Sequence, residues 1–330
     1  MLWPTPQRRP VHGACGKAPS PLRGGHAPSA EALYRGLLGL IFPRIELGLQ
    51  LTLNGLAFGG LIFLLAAGLS VIFGLMDVLN LAHGSFYMLG AYTGVVMLRV
   101  VGSFWLALIL APLFLAVIGA AMEVIFFRRL YRRGHLMQVL LTFGLSLVFV
   151  DLVRWRFGPQ NQPFPVPPQL RGVIPILGYN FPVYRVFVIG VAVLVAALLL
   201  IGWRRLKVGA ILRAGVADTE MVGLLGIDLT RVFTLTFAFG AALAGLAGVI
   251  AGPYLATYPG MDENVLILAL VVVVVGGLGS IEGAVIGALL IGLANTYGAY
   301  FREDVSVALV FAVMAAVLLV RPRGLLGLRA

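Results

Sequence analysis

The sequence predicts an all-α fold, a polytopic transmembrane helical bundle of eight or nine spans with broken or re-entrant segments. Three observations carry this. First, 60% of the 330 residues are hydrophobic, 11% are Asp, Glu, Lys or Arg, and the mean hydropathy is +1.01. A soluble domain carries about 25% charged residues, and this chain has too few to cover a soluble surface. Second, apolar runs near or above the roughly 20 residues needed to cross a bilayer follow one another along the chain. Barrel strands would be shorter and would alternate in polarity. Third, arginines gather in the loops beside these runs, where they act as orientation signals.

In chain order, residues 1–44 hold Pro, Gly and Arg with little periodicity and read as a disordered basic tail or a start-site extension. They lack the apolar stretch and small-residue cleavage site of a secretory signal peptide. Residues 45–330 read as the transmembrane domain, with apolar spans near 49–74, 85–101, 104–127, 136–153, 183–202, 231–253, 263–277, 281–297 and 304–320. The shorter ones are expected to be tilted, broken or partly spanning.

Three basic groups set the orientation: Arg128, Arg129, Arg132 and Arg133; Arg204, Arg205, Lys207 and Arg213; and Arg321, Arg323 and Arg329. All three are expected to be cytoplasmic, the C-terminus with them. Segment 154–182 is then extracytoplasmic. Its Pro159, Pro163, Pro165, Pro167 and Pro168 predict an ordered loop or polyproline stretch at most. The start stays ambiguous. Two full early crossings place the N-terminus outside, whereas Arg8, Arg9, Lys17, Arg23, Arg35 and Arg44 favour the cytoplasm. Either one early segment is re-entrant, or the tail is not a reliable charge signal.

Several function classes fall away. The formal charge of +11 does not indicate nucleic acid, because the 24 basic residues are spread over loops beside apolar spans. Cys15 is the only cysteine, so an intrachain disulfide and a cysteine metal site are excluded. No Gly-x-x-x-x-Gly-Lys-Ser/Thr stretch is present, so any ATP use must come from a partner. His12, His26, His83 and His135 share no metal-binding spacing. Glu123 and Asp151 sit near the ends of their spans, which argues weakly for ion coupling.

Small residues recur at helical spacing. Gly240, Ala244, Gly248 and Gly252 fall at intervals of four, as do Gly283 and Gly287. In lipid, small residues let helix backbones approach closely. This reads as bundle packing, with sliding, gating faces as the alternative. Two polar, glycine-punctuated breaks interrupt the apolar runs. One spans Gly74 to Gly84 with Asp77, Asn80 and His83, and Tyr87 follows it. The other spans Gly276 to Gly283 with Gly277 and Gly279. Paired interrupted segments are a transporter plan, so a weak internal repeat is a hypothesis here. Asn80 and His83 suit either hydrogen bonds across helices or the lining of a path. Asp77 is expected near a membrane face or in a polar cavity, because a charge at mid-membrane is expensive.

The stretch 203–230 is too polar to span and too patterned for a linker. Val216, Met221, Leu224 and Leu225 alternate with Asp218 and Glu220. Residues Thr219 to Leu225 predict a short amphipathic helix along the membrane, with Gly226 as its C-cap. Such a helix offers a knob to a soluble partner; the alternative is contact with lipid headgroups.

The stretches GLSVIFGLMDVLNLAHGSFYMLGAY at 68–92, LRAGVADTEMVGLLGIDLTRVFTLTFAFGAALAGLAGV at 212–249, VGGLGSIEGAVIGALLIGL at 275–293 and RPRGLLG at 321–327 resemble the permease subunits of branched-chain amino acid ABC importers, of the LivH-like type. The resemblance covers about 45–330. It implies an ABC importer permease fold in a bacterial inner membrane. It also implies a non-catalytic chain that holds no cofactor, with ATP and Mg in partner subunits. Its partners would be a second, LivM-like permease, two cytosolic ATPase subunits and an extracytoplasmic substrate-binding protein, besides membrane lipid. The stretch Ala217 to Gly226 resembles a divergent ABC coupling loop, reading Asp218-Thr219-Glu220 in place of the usual Glu-Ala-Ala start. On this resemblance Asp218, Glu220, Gly223 and Gly226 would serve ATPase coupling, and Arg213 would anchor the loop. The same machine carrying urea, short amides or another amino acid is the nearest alternative. An ion-coupled secondary transporter or channel is the alternative of a different class.

Overall fold

The computed structural model describes residues 30–131, 134–176, 179–205, 209–210, 214, 222, 224 and 226–327, with side chains from Glu46 onward except Glu303. The chain divides into two compact units, Met1–Ile45 and Glu46–Ala330. Of the first unit, residues 30–45 are helical. The second is an all-α bundle.

Its helices are α1 (Ala30–Met76), α2 (His83–Val101), α3 (Phe104–Met122), α4 (Arg128–Leu130), α5 (His135–Phe157), α6 (Val183–Arg205), α7 (Leu229–Ala251), α8 (Met261–Gly276), α9 (Ile281–Phe301) and α10 (Glu303–Val320). A single π-helical turn, Glu123–Phe127, joins α3 to α4. Each apolar segment read from the sequence falls mainly on one of these helices, with 104–127 running from α3 through the π turn. Among the described residues, seven helices are long and apolar enough to cross a membrane. The chain is a multi-pass membrane protein. Helix α8, at 16 residues, is shorter, and so is the apolar stretch Asp304–Val320.

Side-chain contacts sort the helix ends into two groups. At one end, Asp77 faces His135 at 3.6 Å, Arg204 donates to Glu282 at 2.5 Å, and Gly74 lies against Gly279. Arg128 and Arg321 belong to this basic end. At the other end, Gln50 donates to the Tyr179 hydroxyl at 2.9 Å, Thr52 bonds Tyr297 at 2.9 Å, and Arg99 donates to Gln162 at 2.6 Å. Helix α1 therefore enters from the far end and runs to the basic end. The break after it carries the chain back inward: the His83 ring packs beside Gly68, eight residues before Met76, or about 12 Å of helix. Helix α2 thus starts inside the bundle and runs outward to the far end. Both early segments belong to the bundle.

The far end also holds a feature the prolines concealed. A hairpin replaces the uniform loop or polyproline stretch expected over 154–182. Strand β1 (Val173–Ile176) pairs antiparallel with β2 (Tyr179–Pro182), in register Val173↔Pro182 and Ile176↔Tyr179. Branched and aromatic side chains suit the pleated backbone, and here they outweighed the neighbouring prolines. An isolated bridge between Gln162 and Thr257 ties this loop to the segment between α7 and α8.

Helix α7 is the hub. Asp228 caps its start by accepting from the Thr230 and Arg231 amides at 3.1 and 3.3 Å. Along its length it meets three helices. Gly240 lies on Gly68 and Ile72 of α1. Gly248 sits on the Tyr87 carbonyl and Ala91 amide of α2. On the α3 side, Ala241 meets Gly119, and Gly245 meets Leu115. Ala244 is fully buried between them, while Gly252, beyond the helix, is covered by the Phe164 ring. Hydrophobic attraction between helices is weak in lipid, so backbone-to-backbone approach supplies the packing energy. Gly283 and Gly287 do the same between α9 and α8, against Gly276 and the Val272 carbonyl.

Candidate functional site: two broken helices and the polar joints around them

The first break is the six-residue stretch Asp77–Ala82, so His83 and Gly84 open α2 rather than lie in the break itself. Asp77 takes a left-handed backbone at φ 49°, which Asp tolerates better than most residues, and its exposed carboxylate faces His135. The other predicted residues point inward. Asn80, His83, Gly84 and Tyr87 are buried. The His83 Nε2 lies 3.1 Å from the Leu65 carbonyl of α1. The His83 Nδ1, both polar atoms of the Asn80 side chain, and the Tyr87 hydroxyl have no hydrogen-bond partner among the described residues.

Helix α8 begins at the same depth. The Gly84 Cα faces the Asp262 carbonyl and Leu266, and the Ser85 hydroxyl donates to Asp262 Oδ2 at 2.9 Å. From this point α2 runs to the far end and α8 to the basic end. Two helices thus start side by side inside the bundle. Helix N-termini carry partial positive charge, and the buried Asp262 carboxylate sits in the first turn of α8 while bonded to the first turn of α2. The Ser85 bond and the helix N-termini offset part of the cost of an acidic side chain at this depth, and the Asp262 Oδ1 has no hydrogen-bond partner among the described residues. Sequence reasoning did not single out Asp262. The link to Ser85, 177 positions away, leaves no sequence signal.

The second break, Gly277–Ser280, lies at the basic end, with Gly277 and Gly279 buried. Gly277 adopts φ 106°, a conformation open to glycine, and its Cα faces the Gly327 backbone. A helix leaves its last carbonyls without partners. Here the chain terminus supplies them: the Leu325 and Leu326 amides donate to the Val275 and Gly276 carbonyls of α8, both at 2.9 Å. The Ser280 hydroxyl caps α9 by accepting from the Gly283 amide at 3.0 Å. Trp203, Ser280, Glu282, Arg321 and Leu326 line a cleft beside this clasp.

Of the loop 203–230, Arg213, Asp218, Glu220 and Gly223 lie outside the described residues. Val222 is buried and Leu224 exposed, and Gly226 turns the chain at φ 78°. Directly beyond, on α7, Thr234 donates to Glu123 Oε2 at 2.5 Å. Glu123 is fully buried in the π turn and also accepts from Tyr131 at 2.9 Å and from Arg128 at 3.3 Å. Burial, then the bond to Glu123, holds the Tyr131 phenol pKa well above the usual tyrosine range, so it stays a donor.

Comparison with known proteins places this architecture. Residues 51–318 match the model of the branched-chain amino acid transport system permease component family. The chain belongs to this permease family. It is 30% identical over 305 residues to the high-affinity branched-chain amino acid transport system permease protein BraD of Pseudomonas aeruginosa, covering 86% of this chain and 97% of BraD. To LivH of Escherichia coli K12 it is 30% identical over 306 residues, covering 84% of this chain and 95% of LivH. To LivM of the same organism it is 28% identical over 292 residues, covering 80% of this chain and 67% of LivM. No solved structure matches the permease chain at a significant level. Permease subunits of this family are non-catalytic. Among the described residues no cluster of three His, Cys, Asp or Glu side chains is placed to hold a metal.

Proposed function

We propose that this permease forms half of the translocation pathway of an ATP-driven importer for leucine, isoleucine and valine. The observation that carries the reading is the family match over residues 51–318, supported by BraD and LivH relatives aligned over nearly their whole lengths. A second permease of the LivM kind completes the pathway. Two cytosolic ATPases, which bind ATP and Mg, drive it, and an extracytoplasmic binding protein delivers the cargo.

The basic end then faces the cytoplasm. Loop 203–230 meets the ATPases through Asp218, Glu220, Gly223 and Gly226, with Arg213 as its anchor. The breaks at Asp77 and Asn80, with His83, Gly84 and Tyr87 in the helix that follows, and at Gly277 and Gly279, are the points where the helices beside the path change direction. The mechanism needs no covalent chemistry in this chain. ATP closes the ATPase pair, the loop passes that motion to α7, and the cavity between the two permeases changes the side to which it opens.

The test is reconstitution with the neighbouring gene products and ATP-dependent uptake of a solute panel. Uptake of leucine, isoleucine and valine supports the reading, whereas uptake of urea or short amides alone replaces the cargo. Glu220→Arg is expected to leave assembly intact and to cut uptake per ATP hydrolysed by about tenfold. Unchanged uptake in that variant removes Glu220 from the coupling contact.

A further inference from the structure

We propose that Glu123 and Thr234 form a strut that carries movement of loop 203–230 into α3 as well as α7. The inference rests on the coupling role proposed above for that loop, and it names the next residues in the chain of transmission.

Thr234 lies little more than one turn into α7, the helix that emerges directly from the loop. Its hydroxyl is held from three sides. It donates to Glu123 at 2.5 Å, accepts from Arg128 Nη2 at 2.9 Å and lies 2.9 Å from its own Thr230 carbonyl. Glu123 has zero exposure and takes bonds from Tyr131, Arg128 and Thr234. Loss of one hydroxyl donor leaves the Arg128 pairing in place and lowers stability, while the helix-to-helix register depends on the donor that crosses between elements.

The carboxylate also sits in the one π turn among the described residues. Such turns cost helix regularity and recur at functional positions. Without the extra residue of that turn, Glu123 would be rotated relative to Thr234. Apolar pairs flank the joint, Phe127 on Phe237 at 4.8 Å and Tyr131 on Phe233 at 5.4 Å between centroids. They supply adhesion but can slide. The charged joint fixes register.

One distinction separates a strut from ordinary stabilisation. The Thr234 bond crosses from α7 to the π turn, whereas the Tyr131 bond stays within the segment that holds Glu123. A merely structural Glu123 would respond alike to loss of either donor.

The experiment uses the reconstituted importer and reads assembly, ATP hydrolysis and leucine uptake for Thr234→Val, Thr234→Ala, Thr234→Ser and Tyr131→Phe. Val and Ala are expected to raise ATP hydrolysed per leucine imported by about tenfold, while Ser, which keeps the hydroxyl, restores the ratio to within about twofold. Tyr131→Phe is expected to stay within about twofold as well. Equal ratios for Val, Ala and Ser overturn the strut, and so does a rise in Tyr131→Phe matching that in Thr234→Val. Glu220→Arg in parallel separates the two readings. If it uncouples and Thr234→Val does not, the strut falls and the loop stands; the reverse pattern keeps the strut and removes Glu220, rather than the loop, from the coupling contact.

Discussion

At the scale of single residues, two kinds of side chain hold this bundle together: glycines that admit a neighbouring backbone and carboxylates that hold distant helices in register. A Cβ at position 248 would meet the Tyr87 carbonyl and Ala91 amide, main-chain atoms that cannot turn aside. Gly248→Leu is therefore expected to destabilise the detergent-solubilised permease by about 3 kcal/mol, read as a lower thermal midpoint and a smaller monodisperse fraction. Gly190, with nothing within 4 Å of its Cβ position, is the control, and Gly190→Leu is expected to change stability by less than about 0.5 kcal/mol. The spacing of Gly240, Ala244, Gly248 and Gly252 was legible as one small-residue stripe. That Gly240 meets α1 and Gly248 meets α2 was not, since a helix period names a face and never its partner. Asp262 and Glu123 were harder still. Each is a single acidic residue with a donor from far along the chain, Ser85 for Asp262 and Thr234 for Glu123, and composition assigns it only a depth.

At the scale of elements, the breaks decide the architecture. Gly74 to Gly84 was visible as a polar interruption, and six of its residues, from Asp77 to Ala82, are non-helical. The sequence did not show that the interruption returns the chain into the bundle, so that α2 and α8 start side by side. The C-terminal RPRGLLG stretch was legible as a resemblance only. Its structural part is to give two amides to the orphan carbonyls of α8. Removing residues 324–330 is expected to expose those carbonyls and cost about 1–3 kcal/mol for each one left unsatisfied. Hydrogen exchange at the α8 C-terminal turn would read this directly, and unchanged protection would show that the clasp contributes nothing. The hairpin at 173–182 carries the opposite lesson. Proline density argued against strands, yet the paired residues avoid the loss, because Pro182 and Pro175 tolerate places in a two-stranded edge.

At the scale of the whole molecule, the two groups of helix ends yield a topology that experiment can check. In a Cys15→Ser background, Val173→Cys, at the exposed hairpin, is expected to react with a membrane-impermeant thiol reagent added to spheroplasts. Arg323→Cys is expected to react only after permeabilisation. The opposite pattern would invert the orientation and with it the assignment of loop 203–230 to the cytoplasm. The exposed apolar faces follow from the same architecture. Leu136, Trp155, Leu198 and Leu319 are among the most exposed side chains, which is the arrangement expected where lipid or another apolar surface replaces water.

The sequence by itself determined that this chain lies in a membrane, where its helices run, which end is basic and which permease family it resembles. Those properties are local: hydropathy over about 20 residues, charge beside a span and short motifs. Only the tertiary structure decided which helices Gly240 and Gly248 meet, that α2 and α8 share a buried starting point at Asp262, and that Glu123 joins α7 to the π turn. Those depend on atoms brought together from positions 100 or more residues apart, as with Thr234 and Glu123, which are 111 apart. Close packing and buried hydrogen bonds are pairwise and geometric, and no single stretch of chain encodes them.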